Sequence, residues 1–186
     1  MYRDVKTDTK QKIALALRQL MQERPLRKIT VHDLMIRAQM TRQSFYYHFQ
    51  DIQEVLAWSC EQQLSRPLHQ AQELTFEEWM VQALNILYQD RNFYRQILGF
   101  LDQGFLLRFC KSLLRPRISQ VLFQREEGLN ENQEFVIEVV VRAVLAYLPD
   151  MLASRRELDL QQARGRLHYL LDTMGLKEDL RPLMQV

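Results

Sequence analysis

Apolar residues recur at three- and four-residue spacing along most of this chain, beginning with Ile13, Leu17, Leu20 and Met21. That spacing lines one face of a helix. It predicts a first helix from about Thr9 to Glu23, opened by a capping pair at Asp8 and Gln11 and stopped by Pro25. Two short helices follow. Thr30 caps one of them, with Asp33 at its third position, and Ile29 and Leu34 have the spacing of a hydrophobic staple. Thr41 caps the other, and Met40 with Phe45 repeats the staple. Phe45 and Phe49 fall four apart and share an inward stripe, whereas Arg42 with Tyr46, and Gln43 with Tyr47, fall on other stripes. The turn Ala38-Gln39-Met40 is short enough to hold the two helices at a steep angle. Asp51 and Glu54 open a fourth helix containing Val55, Leu56, Trp58 and Leu64.

Helical spacing continues beyond residue 65 without a long linker. Thr75 and Glu78 form a capping box before Trp79, Leu84, Ile86 and Leu87, and Asp90 stands as the cap of 93–98. Gly99 and Gly104 interrupt the pattern before 105–123. The stretch 135–148 is rich in Val and Ile, which favours a strand locally. It is longer than an ordinary strand and its neighbours are helical, so a buried helix, apolar on most faces, is expected, kinked or ended by Pro149. Asp159 and Gln162 open a last amphipathic helix with Leu167, Leu170, Leu171 and Met174, and Gly175 stands where a C-terminal cap belongs. The fold class expected is all-α. An N-terminal three-helix domain of the helix-turn-helix type covers 1–56, and a helical regulatory and dimerisation domain covers 57–186.

Charge sharpens this division. Residues 1–50 carry ten Lys and Arg against four acids, a net +6, and the rest of the chain nets −4. A basic front end on a mildly acidic body suggests that the first domain meets a polyanion. Cys60 and Cys110 lie far apart without ligand spacing, which reads as reduced thiols in the cytoplasm. No apolar run reaches the length of a membrane span. Catalysis is not expected: there is no His-Glu-x-x-His, no phosphate-cradling glycine loop and no cysteine pair, and His32, His48, His69 and His168 are scattered. No cofactor and no metal are expected.

A DNA-reading helix must grip phosphates for affinity and touch base edges for choice. Thr30 and Thr41 stand at helix starts, where amides and a hydroxyl can take a phosphate oxygen, although each is also sufficient as a plain cap. Arg42 and Gln43 open the third helix; arginine pairs well with guanine and glutamine with adenine. Ser44 is small enough to permit close approach. Tyr46, Tyr47 and His48 suit sugar and phosphate contacts, and His48 reads equally as an ordinary surface histidine. Lys6, Lys10 and Lys12 can add charge from the N-terminal side.

The string Lys28-Ile29-Thr30-Val31, with Asp33-Leu34, Ala38, Thr41-Arg42 and Phe45-Tyr46-Tyr47-His48-Phe49, resembles the DNA-binding domain of the TetR (tetracycline repressor) family over roughly residues 8–56. The resemblance implies that Thr30, Thr41, Arg42, Gln43, Tyr46, Tyr47 and His48 approach double-stranded DNA. It implies a homodimer on a palindromic operator, acting as a repressor released by a small ligand. Two positions depart from the family pattern. Gln39 stands where glycine is usual, so a left-handed backbone is expected there at some cost. Ile52 stands where a phosphate-gripping lysine is common, which should flatten the salt dependence of binding.

The same resemblance makes the rest of the chain a ligand and dimer domain. Tyr88, Phe93, Tyr94, Ile97, Phe105, Phe109 and Tyr147 are candidate pocket residues, with Phe100 in the same aromatic run. Arg95, Arg108, Lys111, Arg115 and Arg117 lie near in sequence and suit either an anionic ligand or a solvated basic face. The segments 131–153 and 159–174 are the dimer candidates. The run Asp90-Arg91-Asn92-Phe93-Tyr94, with Phe105, resembles the subgroup containing the dihydroxyacetone-kinase activator, in which the domain can bind a partner protein. An adapter or coactivator working through such a partner, with weak DNA binding of its own, is therefore the alternative reading, motivated by Gln39 and Ile52.

Overall fold

The computed structural model describes residues 2–71, 73–153 and 160–173, without the side chains of 2–7, 160, 163, 164, 167, 170 and 171. The Lys6 side chain as a DNA contact, the side chains of Leu167, Leu170 and Leu171, and the expected features at Asp159, Met174 and Gly175 lie outside what the structure describes. Every regular element among the described residues is helical.

The chain divides into two compact units, one built from residues up to Gln63 together with Asn92–Leu101, the other from Leu64–Arg91 and Asp102 onward. The first unit therefore extends past residue 56, where the sequence pattern placed the division, and takes in a second segment.

In the first unit, α1 (Tyr2–Glu23) begins earlier than the Asp8 cap implied. Asp8 lies inside the helix and pairs with Lys12 one turn on, at 2.8 Å. Nothing in residues 2–8 breaks a helix, and a helix once nucleated propagates through such a segment. A 3₁₀ turn (Leu26–Lys28) leads to α2 (Val31–Ala38), then α3 (Arg42–His48) and α4 (Ile52–Cys60). Thr30 and Asp33 close a full capping box, and Asp51 caps α4 through the amide of Glu54 at 2.9 Å. Ile13, Leu17, Leu34, Phe45, Phe49 and Leu56 are each at most 1 % exposed and form the centre of this unit.

Gln39 adopts φ 55°, ψ 46°, the left-handed conformation anticipated from its place in the turn. Its amide and that of Met40 reach back to Ile36 and Met35 at 3.2 and 2.9 Å, which satisfies the last carbonyls of α2. Glutamine pays a steric penalty there that glycine avoids. Gln39→Gly should stabilise the first unit by about 0.5–1 kcal/mol, read as a raised midpoint in urea unfolding; a fall would mean that the Gln39 side chain contributes more than its backbone costs.

The last element of the first unit is α7 (Arg91–Leu98), reached through the second unit's α5 (Arg66–Gln70) and α6 (Phe76–Gln89). Phe93, Tyr94 and Ile97 are 3–4 % exposed within this unit, and the Arg18 guanidinium lies over the Phe93 ring at 4.2 Å. These three residues, expected in a ligand pocket, are thus placed in the core behind the helix-turn-helix. Their apolar stripe is buried by α7 docking within the first unit.

In the second unit, α6 opens on the expected Thr75–Glu78 capping box. Then come α8 (Gln103–Phe123), α9 (Glu131–Ala153) and α10 (Leu160–Thr173), with α8 packed on α9 and α6 on α10. Gly104 does not interrupt α8. Asp102 caps that helix by accepting from the Phe105 amide at 2.8 Å, and Gly104 falls in its first turn. The Val-rich segment is helical as expected, and α9 runs on through Pro149. It is not buried on most faces. Ile137, Val141 and Leu152 point inward, whereas Phe135, Val139 and Tyr147 are 69, 48 and 61 % exposed.

Candidate nucleic-acid interface

The Thr41 hydroxyl oxygen accepts from the Ser44 amide at 3.1 Å and starts α3. Phe45 and Phe49, their rings 6.1 Å apart, enter the core, and Phe49 meets Trp58 edge-on at 6.2 Å. The opposite side of so short a helix is forced outward. Tyr46 and Tyr47 are 61 and 63 % exposed, and Arg42 and Gln43 are exposed beside them. Tyr46 is steadied by the edge of Phe45 at 5.4 Å and Tyr47 by the edge of His48 at 5.0 Å. Ser44 and His48 are half-buried at the flanks.

Thr30 is placed differently. Both its amide and its hydroxyl donate to Asp33 Oδ2, at 2.8 and 2.7 Å, and its oxygen accepts the Asp33 amide at 3.2 Å. All its hydrogen-bonding groups are thus spent on the cap, apart from its carbonyl in the helix. Arg24 completes the cluster at 3.0 Å from Asp33. The Thr30 hydroxyl, the Thr30 amide and then Arg24 hold the Asp33 carboxyl down to about 2. A fixed carboxylate at this helix start disfavours a phosphate there. Thr41 spends only its oxygen on the cap and keeps a hydroxyl hydrogen to give.

Several cations of the first 50 residues have partners inside the fold, which fixes their positions and leaves the net +6 of the segment unchanged. Arg37 pairs with Glu23 at 2.7 Å, Arg24 with Asp33 and Lys12 with Asp8. Arg27 donates to the Gly99 carbonyl at 2.9 Å. Lys10 sits over the Phe49 ring at 4.8 Å, so its charge lies against the buried side of α3 rather than among the tyrosines. Arg42 and Lys28 are exposed, and among the described residues neither has a carboxylate partner. Both are thus open to an anion.

Two further residues border the surface and were not anticipated. His32 and Ile36, one turn apart on α2, line a shallow concavity of about 650 Å³ with Met40, Thr41 and Arg42. Ile36 is 65 % exposed. The signal was present in the sequence: Leu34 and Met35 occupy the inward stripe, so positions 32 and 36 fall outside it.

The second unit holds an apolar cavity of about 400 Å³ between α6, α8, α9 and α10. Of the expected pocket residues, Phe109 and Tyr147 line it. Phe105 stacks on Phe109 at 6.3 Å, and the Tyr88 hydroxyl donates to the Met151 carbonyl at 3.2 Å. Trp79, Leu113, Cys110 and Arg166 also line it, and burial pushes the Cys110 thiol up to about 11. The expected basic cluster does not gather there. Lys111 and Arg115 bind Glu134 at 3.4 and 2.5 Å, and Arg117 donates to the carbonyls of Ala71 and Leu74. Arg166 is the charged residue of the lining.

Two short capped helices with tyrosines outward, joined to an all-helical second unit, form a TetR-like arrangement. No protein-family model matches this chain. It is 33 % identical over 122 residues to the HTH-type dhaKLM operon transcriptional activator DhaS of Lactococcus lactis subsp. lactis (strain IL1403). That match takes in 64 % of this chain and 63 % of the relative, so the chain spans less than two thirds of it. Two solved structures are similar. A TetR transcriptional regulator from Streptococcus agalactiae 2603V has TM-score 0.68 at 26 % identity, over 95 % of this chain and 98 % of that one. A dihydroxyacetone kinase operon activator DhaS has TM-score 0.67 at 23 % identity, over 92 % and 98 %. The expected likeness to the dihydroxyacetone-kinase activator subgroup thus holds alongside the broader one. Among the described residues no helix is long and apolar enough to cross a membrane.

Proposed function

We propose that this protein is a transcriptional regulator that binds double-stranded DNA in the cytoplasm as a homodimer. The observation that carries the reading is the polarity of α3: two phenylalanines at 0 and 1 % exposure behind, two tyrosines above 60 % in front, with the exposed Arg42 beside them. Thr41, Arg42, Gln43, Tyr46 and Tyr47 form the reading surface, flanked by Ser44 and His48. Thr30 and Lys10 support it from within.

The exposed residues Phe135, Val139 and Tyr147 fall along one side of α9, and Tyr169 of α10 is 74 % exposed. An apolar strip of this kind is costly in water and supports pairing with a second copy. Two copies present two reading helices, and a palindromic operator follows from that symmetry. The cavity supports control by a small apolar effector whose acidic end meets Arg166. Repression released by such an effector is the primary reading. Activation through a protein partner is the second; the relative's name supports its activating part alone.

Selection of bound fragments from genomic DNA tests the whole reading and returns operator symmetry. On the selected fragment, Tyr47→Ala should weaken binding while thermal stability stays nearly unchanged. A large stability loss would instead assign Tyr47 to the core. Arg42→Ala should lower preference at one base position by about 1–3 kcal/mol; unchanged preference would leave Arg42 as a phosphate contact.

A further inference from the structure

The Gln96 carboxamide holds two backbone groups, in α1 and in the turn that leads to α2, that lie 70 and 75 residues away. Its oxygen accepts from the Leu26 amide at 2.8 Å, and its nitrogen donates to the Met21 carbonyl at 3.0 Å. Both partners are helix-end groups. Met21 lies in the last turn of α1, and Leu26 opens the 3₁₀ turn. Neither group has a partner within its own helix, so one side chain answers two separate deficits. Arg27, next along, is held to the Gly99 carbonyl just past the end of α7. The other end of the loop is closed by Arg24, Thr30 and Asp33. Lys28 stands exposed between these anchors, its amide bonded to the Pro25 carbonyl at 2.9 Å.

We propose that Gln96 is a positioning residue for DNA binding: it fixes the loop 24–30 so that Lys28 is presented to a backbone phosphate. The inference rests on the regulator reading and adds to it a phosphate contact and the residue that sets it. Lysine carries a long flexible stem, and its contact to a phosphate is worth most when the backbone beneath it is already ordered. The carboxamide supplies that order from α7, a helix that enters this unit by way of the second. Gln96 touches no nucleotide. It acts through the Leu26 amide and the turn that follows.

The test uses the full chain on its own selected fragment. Gln96→Leu keeps the bulk of the side chain and removes both hydrogen bonds. It should lower affinity about tenfold and reduce the slope of log affinity against log salt by about one contact. It should speed amide hydrogen exchange in 24–30 and leave base preference intact. Ile97→Val loosens the packing of α7 without touching the carboxamide, so it should lower the melting temperature and leave the salt slope unchanged. Lys28→Ala should reproduce the slope change of Gln96→Leu, and the double variant should add nothing further. Should Gln96→Leu fail to fold, Gln96→Met, which matches the length of the side chain and also removes both hydrogen bonds without adding charge, is read the same way. An unchanged slope with unchanged exchange in 24–30 overturns the proposal while the regulator reading stands. A parent chain that selects no fragment overturns both.

Discussion

Phe45→Ala should destabilise the first unit by about 3–5 kcal/mol, the range for removing a fully buried phenylalanine. The ring is 0 % exposed and packs between Tyr46 and Phe49. The size of the effect follows from the shortness of α3. A helix of seven residues cannot persist on its own hydrogen bonds, so its apolar anchor supplies most of its stability. Denaturant unfolding, followed by amide exchange over 42–48, measures the loss. DNA binding should vanish with it. The contrast with Tyr47→Ala is the informative part: one neighbouring aromatic removes the scaffold, the other only the contact. A loss below about 1 kcal/mol at Phe45 would show that the site collapses around the gap, and that α3 is held by something else.

Trp79→Ala should cost the second unit a similar amount, about 3–5 kcal/mol. The indole is 1 % exposed, donates to the Leu68 carbonyl at 2.9 Å, stacks with Phe76 and lies beneath Arg117. Its removal takes a donor from that carbonyl and widens a cavity that is already large. A second result should accompany the loss. An apolar solute of the size of indole should partly restore the melting temperature, by binding the folded form alone. A variant that loses stability without any such rescue would mean that the enlarged space closes or fills with water. The cavity would then be a packing defect rather than a site.

Short-range chemistry was readable along the chain because each feature needs only a few neighbouring residues. The boxes Thr30–Asp33 and Thr75–Glu78, the caps at Thr41 and Asp51, and the inward stripe of Phe45 and Phe49 all form as their spacing demands. Gln39 takes its left-handed turn because a short link between two helices leaves little else. The candidate reading surface was legible for the same reason, since the residues of one short helix sort by face.

Charge and burial at longer range were less legible. Ten cations in 50 residues gave no sign of which would be occupied. Arg37 is occupied by Glu23, Arg27 by a carbonyl 72 residues away, and Lys10 by a phenylalanine ring. The outward face of α9 was hidden because valine and isoleucine mark a buried helix and an unpartnered one alike. Phe93, Tyr94 and Ile97 carry the right chemistry for a pocket wall, and nothing local distinguishes a wall from a core.

By itself the sequence determined the helices, their caps and the side of α3 that faces water, because those depend on periodicity and on hydrogen bonds within a few residues. Only the tertiary structure decided that α7 completes the first unit and that Gln96 anchors its loop. It alone decided that, among the described residues, Arg42 and Lys28 stand exposed without a carboxylate partner while Lys12, Arg24 and Arg37 have one. Those outcomes depend on groups brought together across dozens of residues, where proximity is set by packing and the spacing along the chain carries no trace of it.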